Sequence, residues 1–320
     1  MIEWGINALN HDASIAVFDS NKLVMHKRSS EFSGIIGDSD LNQGLIDNCL
    51  RFGYPDKIYW YERPFVKKFR QLRAGQWRWV FDLNEFPEFY LQDFLIDTPI
   101  VYTSHHRSHA AAGYYTSPFD HCAVVVIDAI GEWESISIWE GQGKQLHKRW
   151  SRSYPTSLGL FYSAFADLLG FVPTKQEHLL QQLSDQGNPN TFYGKVKSYF
   201  DVDGNLKFNL HKGVTNWGPV LEHDRADIAA AVQLVFEEQV DYIMARARKL
   251  VKSNNLVYMG GCAMNSKYNK RLGNRWEQVW SLPYPGDACS AVGAVLAKKK
   301  IKVPYERGIV KHLEIKLKEQ

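Results

Sequence analysis

At 320 residues the chain is long enough for one large domain or two lobes of roughly 150 residues each. Its 45% hydrophobic and 23% charged residues are ordinary for a soluble globular protein, and no run reaches the roughly 18 apolar residues that a membrane helix needs. A net charge of +3 says little about partners, but the start, MIEWGINALNHDAS, carries Glu3 and Asp12 where a signal peptide would be basic and then apolar.

Residues 5–28, GINALNHDASIAVFDSNKLVMHKR, read as apolar strand, polar turn, alternating strand, turn and strand. The first of these strands ends in a short polar side chain, Asn7. A helix near 41–51, strands at 57–61 and 98–102, and a helix from His105 to about Tyr115 follow. The strand–turn–strand–turn–strand pattern returns at 126–149, VIDAIGEWESISIWEGQGKQLHKR, where the first strand ends in Asp128. Ser157–Phe171 predicts a helix with Ser157 as N-cap, and 227–251 a long amphipathic helix. Leu256–Met259 is a short strand running into Gly260-Gly261, and Asp287–Lys298 a small-residue helix. Three strands followed by alternating helix and strand, twice over, predict a duplicated α/β fold with a cleft between lobes. The lobes are expected at 1–122 and 123–320. The four cysteines, Cys49, Cys122, Cys262 and Cys289, are far apart with no CxxC pair, so free thiols in a cytoplasmic protein are expected rather than a disulfide framework.

Chemistry concentrates at four places. In HHRSHAAAG, His105 and His109 stand at i and i+4, so a helix puts both imidazoles on one face, where they can meet one metal ion or simply serve the helix start. VVVID delivers Asp128 at the carboxyl end of a buried strand, where sites form in open α/β sheets, and an Asp opening a turn is the plain alternative. Gly131 and the amides around it could wrap a phosphate. MGGCAMN follows a strand and precedes a helix, so Gly260 and Gly261 let a nucleotide approach the backbone. In PGD, Asp287 is an exposed carboxylate or a helix cap.

These pieces occur together and in order. The sequence resembles the NodU/CmcH-type O-carbamoyltransferases in GINALNHDASIAV, YERP (61–64), HHRSHAAAG, VVVIDAIGE, SLGLFYSAFADLLGF (157–171), DIAAAVQ (227–233), GGCAMNSKYNKRL and PGDACSAVGA. The resemblance implies an actin-like (ASKHA) fold of two ribonuclease-H-like lobes, related to the enzymes that attach threonylcarbamoyl to tRNA, with a nucleotide cleft between the lobes. It implies metal ligands His105, His109, Asp128 and Asp287, holding Fe²⁺, Mn²⁺ or Zn²⁺. His11 is implied as the catalytic histidine, with Asp12 as its orienting partner or a turn former. Asn7, Gly131, Glu132, Gly260, Gly261, Asn265 and Gly286 become candidates for nucleotide and phosphate contacts. The implied donor is carbamoyl-adenylate, made from carbamoyl phosphate and ATP by a YrdC-like domain. Nothing after Ala294 resembles that domain, so the expectation is a separate YrdC-like adenylate-forming chain as partner, or binding of carbamoyl phosphate and nucleotide by this chain itself, or a chain that is a piece of a longer protein. The family's EYKVMGLAPYG stretch reads EHLLQQLSDQG here (177–187), keeping Glu177, Leu183 and Gly187.

The acceptor rests on the segment RPFVKKFRQLRAGQWRWVF (63–81), with six Lys/Arg and no Asp or Glu. Interleaved cations and rings track a phosphate backbone and stack bases, which puts Lys67, Lys68, Arg70, Arg73, Trp77 and Arg78 forward as DNA contacts. The expected acceptor is then the hydroxymethyl group of a modified pyrimidine, 5-hydroxymethylcytosine, in DNA. The alternative is an amphipathic helix with Phe65, Phe69 and Leu72 facing the core and its cations solvated, serving a sugar or antibiotic-type acceptor. A non-catalytic nucleotide-binding scaffold is a third reading, against which the intact His11, His105, His109, Asp128 and Asp287 argue. No membrane partner is expected.

Overall fold

The computed structural model describes residues 1–94 and 96–305. β1 (Ile2–Asn7), β2 (Ser14–Asp19) and β3 (Lys22–Arg28) form an antiparallel meander, and β4 (Lys57–Trp60) and β5 (Ile100–Tyr102) add in parallel on the free edge of β1. The strand order is β3-β2-β1-β4-β5. A second sheet repeats that topology, with β6 (His121–Gly131), β7 (Glu134–Gln142) and β8 (Gln145–Ser153) antiparallel and β9 (Asn255–Met259) and β10 (Gln278–Trp280) parallel, in the order β10-β9-β6-β7-β8. The duplication expected from the sequence is therefore present as two copies of one five-stranded arrangement.

The principal helices are α1 (Gln43–Leu50), α2 (Pro64–Arg73), α3 (His105–Thr116), α4 (Leu158–Leu168), α5 (Arg225–Leu250) and α6 (Ser290–Lys299). Period-two alternation in β6 sends Val124 and Val126 to one side and Val125 and Ile127 to the other, and both sides are buried. Val124 and Val126 share a core with the first sheet, α3 and α6, while Val125 and Ile127 share one with α4 and α5. The layers run first sheet, α6, α3, second sheet, then α4 and α5. Small residues set the spacing of the middle layers. A Cβ on Gly293 would overlap the Ser108 carbonyl, one on Gly5 the Ala291 carbonyl oxygen, and one on Gly113 would lie 2.5 Å from Val257.

The boundary expected at 122/123 falls at the start of β6, but the chain then crosses back. Leu282, Cys289, most of α6, Val303 and Tyr305 pack in the core of the first sheet, so the second stretch does not pack as one unit. Its last residues, 306–320, lie outside the described residues. Ser157 caps α4 by accepting from the Leu160 amide at 3.1 Å. All four cysteines are free and buried. No helix among the described residues is long and apolar enough to cross a membrane.

The 63–81 segment departs from both readings made of it. In α2, Lys67, Lys68 and Arg70 turn inward, whereas Phe65, Phe69 and Leu72 are exposed. The pattern is inverted because carboxylates lie underneath. Lys67 pairs with Glu62 at 2.9 Å and Lys68 with Glu85 at 2.8 Å.

Candidate functional site

The site is assembled where strand ends and helix starts meet. His105 is the first residue of α3, with Ser104 at the N-cap, and His109 follows one turn later on the same face. Asp128 comes where β6 loses regular pairing between Ile127 and Gly131, and Asp287 opens the single turn that leads into α6. One donor atom from each of His105, His109, Asp128 and Asp287 lies within 4.8 Å of all the others, and all four residues are buried. His105 Nε2 is 3.0 Å from Asp128 Oδ2 and 3.4 Å from Asp287 Oδ1. His109 Nε2 is 3.3 Å and 3.2 Å from the same two oxygens. The two Nε2 atoms are themselves 3.0 Å apart. Four donors around one ion at about 2.1 Å stand roughly 3.4 Å apart in a tetrahedral arrangement, so the set fits a divalent cation.

The electrostatics say the same. Burial alone would lower both imidazoles, yet the Asp287 and Asp128 carboxylates raise them, and those carboxylates are held well below their usual range although burial opposes this. Positive charge is therefore required between two buried carboxylates, and protons on the imidazoles supply it when no cation does. Supporting contacts aim the donors. The Ala129 and Gly261 amides donate to Asp128 Oδ1 at 2.9 and 3.3 Å, and Asn10 Nδ2 donates to Asp287 Oδ2 at 2.8 Å. Ser290 Oγ lies 3.4 Å from His109 Nδ1. Asp287 is thus not the helix cap that its position before α6 also allowed.

His11 stands beside this cluster, with Nε2 3.6 Å from Asp287 Oδ2 and Nδ1 3.2 Å from Asp12 Oδ2. Burial alone would lower its pKa, but Asp287, Asp12 and Asp128 outweigh that and raise it to about 9. The turn holding it has Asp12 at φ 53°, a left-handed conformation that Asp tolerates. Asn7 Nδ2 braces the turn by donating to the Asp12 and His11 carbonyls at 2.8 and 3.3 Å.

A cavity of about 320 Å³ opens beside these groups. Of the nucleotide candidates, Gly261, Asn265 and Gly286 line it together with His11, Asp12 and Asp128. The other four do not, each for a physical reason. Asn7 is fully buried under the His11 turn. Glu132 is taken by Arg63, whose Nη2 reaches its Oε2 at 2.5 Å and whose backbone amide donates to its Oε1 at 2.7 Å. Gly131 is a glycine because a Cβ there would overlap His105, and Gly260, at φ 92°, because one would overlap the Ile127 carbonyl. The cavity also takes in Glu177, His178 and Gln181 of the stretch that departs from the family pattern. Sequence reasoning missed Arg28 and Tyr284 on its wall. The available signal was Arg28 as the last residue of β3, in register with Ser14 beside the His11 turn.

Of the acceptor candidates, Lys68 and Arg70 are buried rather than displayed, and the half-buried Lys67 is held by Glu62. Arg73 lies over the Trp133 ring at 5.9 Å, and Trp77 is 59% exposed. The Arg78 side chain lies outside the described residues.

A family model described as the carbamoyltransferase N-terminus matches residues 62–296, a span containing all four clustered donors but not His11 or Asp12. An uncharacterized protein of Synechocystis sp. is 28% identical, the alignment covering 92% of this chain and 56% of that protein. Nodulation protein NolO of Bradyrhizobium diazoefficiens is 24% identical, over 60% of this chain and 37% of its own length. The chain thus spans about half the length of these relatives, or less. Among solved structures, full-length HypF in its phosphate- and nucleotide-bound form aligns over 93% of this chain and 55% of its own at a TM-score of 0.50 and 12% identity, a likeness of fold.

Proposed function

This chain belongs to the carbamoyltransferase family, matching its N-terminal part, and from that membership we propose that it carries the transfer site of an O-carbamoyltransferase. The observation that supports this reading most is the meeting of four buried metal-type donors with the His11–Asp12 pair at one cavity. We read His105, His109, Asp128 and Asp287 as the holders of a divalent cation. Such a cation, when bound, would polarise a carbonyl or phosphoryl oxygen as a Lewis acid.

The remaining chemistry falls to the chain. The acceptor oxygen attacks the carbamoyl carbon and a new O–C bond forms; the bond from that carbon to the bridging oxygen breaks, and AMP leaves with that oxygen and the electron pair. The acceptor proton passes to His11 Nε2, while Asp12 holds Nδ1 and so leaves the Nε2 lone pair free. The donor is carbamoyl-adenylate, formed from carbamoyl phosphate and ATP by a YrdC-like partner chain. The cavity between the lobes holds its nucleotide, in keeping with a fold shared with nucleotide-bound HypF.

For the acceptor, the pairing of Lys67 and Lys68 with Glu62 and Glu85 and the burial of Lys68 and Arg70 favour a small hydroxylated molecule over DNA, because cations so placed have little left for phosphates. The DNA reading keeps one supporting observation, the exposed rings of Phe65, Phe69 and Trp77 on the same segment. The test is incubation with carbamoyl phosphate, ATP and a YrdC-like chain, offering sugars and hydroxymethylcytosine DNA separately, followed by mass spectrometry. A carbamoyl increment on either acceptor, lost in His11→Ala, supports transfer and identifies the class. No increment on any hydroxyl, with the metal bound, would sink the reading.

A further inference from the structure

Arg28 has no role in the site described so far. It ends β3 on the wall of the cavity that His11, Asp12, Gly286 and Ala288 also line, in register with Ser14 of β2. Its guanidinium carbon sits 3.7 Å from the centroid of the Tyr284 ring, which fixes the plane of the fork by stacking. Yet its Nε is buried and without a hydrogen-bond partner. Among the described residues no carboxylate pairs with the guanidinium, although Glu31 comes close enough to accept from the Arg28 backbone amide at 3.0 Å and spends its side chain on Lys27. A desolvated donor that finds nothing to bond in its own protein is destabilising, the more so when charged. The terminal Nη groups, which donate to no group among the described residues, are the part of the fork left for a ligand in the cavity.

Ser163, Thr174, Lys175 and Gln181 also line the cavity, and the lining carboxylate Glu177 accepts from the Ser163 hydroxyl and the Thr174 amide. The metal-type carboxylates Asp128 and Asp287 are spent on the imidazoles. The wall around Arg28 is therefore the part of the cavity suited to an anion. A guanidinium held flat by a ring presents two parallel N–H groups, which match two oxygens of a phosphoryl group.

We propose that Arg28, clamped by Tyr284, is an anion-anchoring residue that binds the phosphoryl group of the cavity's ligand. The proposal deepens the reading of the cavity as the donor's nucleotide site and rests on it for the ligand class. The anchor leaves the reacting carbon to His11 and the buried cluster and sets where the leaving group lies.

The experiment uses the metal-loaded protein with AMP, adenosine and inorganic phosphate as probes, titrated calorimetrically. The native protein should prefer AMP to adenosine. Arg28→Met, which keeps the aliphatic stem, should lose AMP affinity by roughly 10- to 100-fold, in line with the loss of charge-assisted hydrogen bonds, with adenosine unchanged. Tyr284→Ala should weaken AMP in the same direction, and Tyr284→Phe should not. Arg28→Lys keeps the charge without the fork and guards against a folding defect, with an intermediate affinity expected. An AMP-to-adenosine ratio unchanged in Arg28→Met overturns the proposal. If phosphate binds and depends on Arg28 while AMP and adenosine both fail, the anchor stands and the nucleotide reading falls. If the native protein binds neither phosphate nor AMP, the anchor falls too.

Discussion

The buried cluster makes opposite demands on its members. Two carboxylates beside two imidazoles are stable only with positive charge between them, so protons and a cation compete for one place. His11 feels the same field from outside the cluster, its pKa raised to about 9 chiefly by Asp287 against the effect of burial. A cation bound between Asp128 and Asp287 offsets that field. The His11 pKa should therefore fall towards the ordinary 6.5 when metal is added, which histidine NMR titrations with and without metal would read. A value unmoved by metal would show that His11 does not sense the cluster and would remove the physical basis for its switching to a neutral base near pH 7. The supporting shell can be tested without turnover. Ser290 lies 3.4 Å from His109 Nδ1, and Ser290→Ala should cost roughly 10- to 100-fold in metal affinity. An unchanged metal dissociation constant would count against Ser290 as an orienting partner.

At the scale of elements, α2 is the informative case. Its composition reads as a basic helix with an apolar face, and either face could have been the buried one. Glu62, at its entry, and Glu85, seventeen residues beyond Lys68, settle the matter by waiting beneath the helix. Because Lys68 and Glu85 are both largely buried, Glu85→Ala removes the carboxylate beneath Lys68, which keeps its bond to the Asp82 carbonyl, and should cost up to about 3–5 kcal/mol. Phe65 is 74% exposed, so Phe65→Ala should change stability by less than about 0.5 kcal/mol. Chemical denaturation of the two variants checks both numbers, and the reverse order would mean that α2 faces the other way. The local sequence could not show this inversion, since 3.6-residue periodicity reports that a helix has two faces and not which one meets charge.

At the scale of the whole molecule, the crossing of the last helix back to the first sheet ties the two halves together. His26 on β3 is part of that tie. Its Nε2 meets the Ala288 carbonyl oxygen at 2.9 Å and its Nδ1 the Tyr305 hydroxyl at 2.7 Å, an arrangement that suits the neutral ring with its proton on Nε2. Burial lowers its pKa to about 4, against the bond to Ala288, which raises it. A lowered folded pKa means the unfolded chain binds the extra proton first as pH falls. The stabilisation is thus fully present above about 6.5 and is lost as pH drops from there towards about 4. Thermal melting across that window should fall more steeply for the native protein than for His26→Gln, measured with metal absent in both. Parallel curves would mean that His26 is not the titrating group.

Period-two runs, an i, i+4 histidine pair and small-residue stretches were enough to place most strands and the paired three-strand units, because these depend on neighbours in sequence, whereas the four-donor set came from the family resemblance. His105 with His109 is one helical turn, and Val124 to Asp128 is one buried strand. The tertiary structure alone decided what depends on residues far apart. It brought Asp287 to His109 across 178 positions, returned α6 to the first sheet and turned α2 inside out. It also gave Gly131 and Gly260 steric reasons to be glycine and put Arg28 over Tyr284 on the cavity wall. The physical reason is that pairing and desolvation of charge are set by whatever the fold places opposite, and a linear pattern carries no record of its opposite wall.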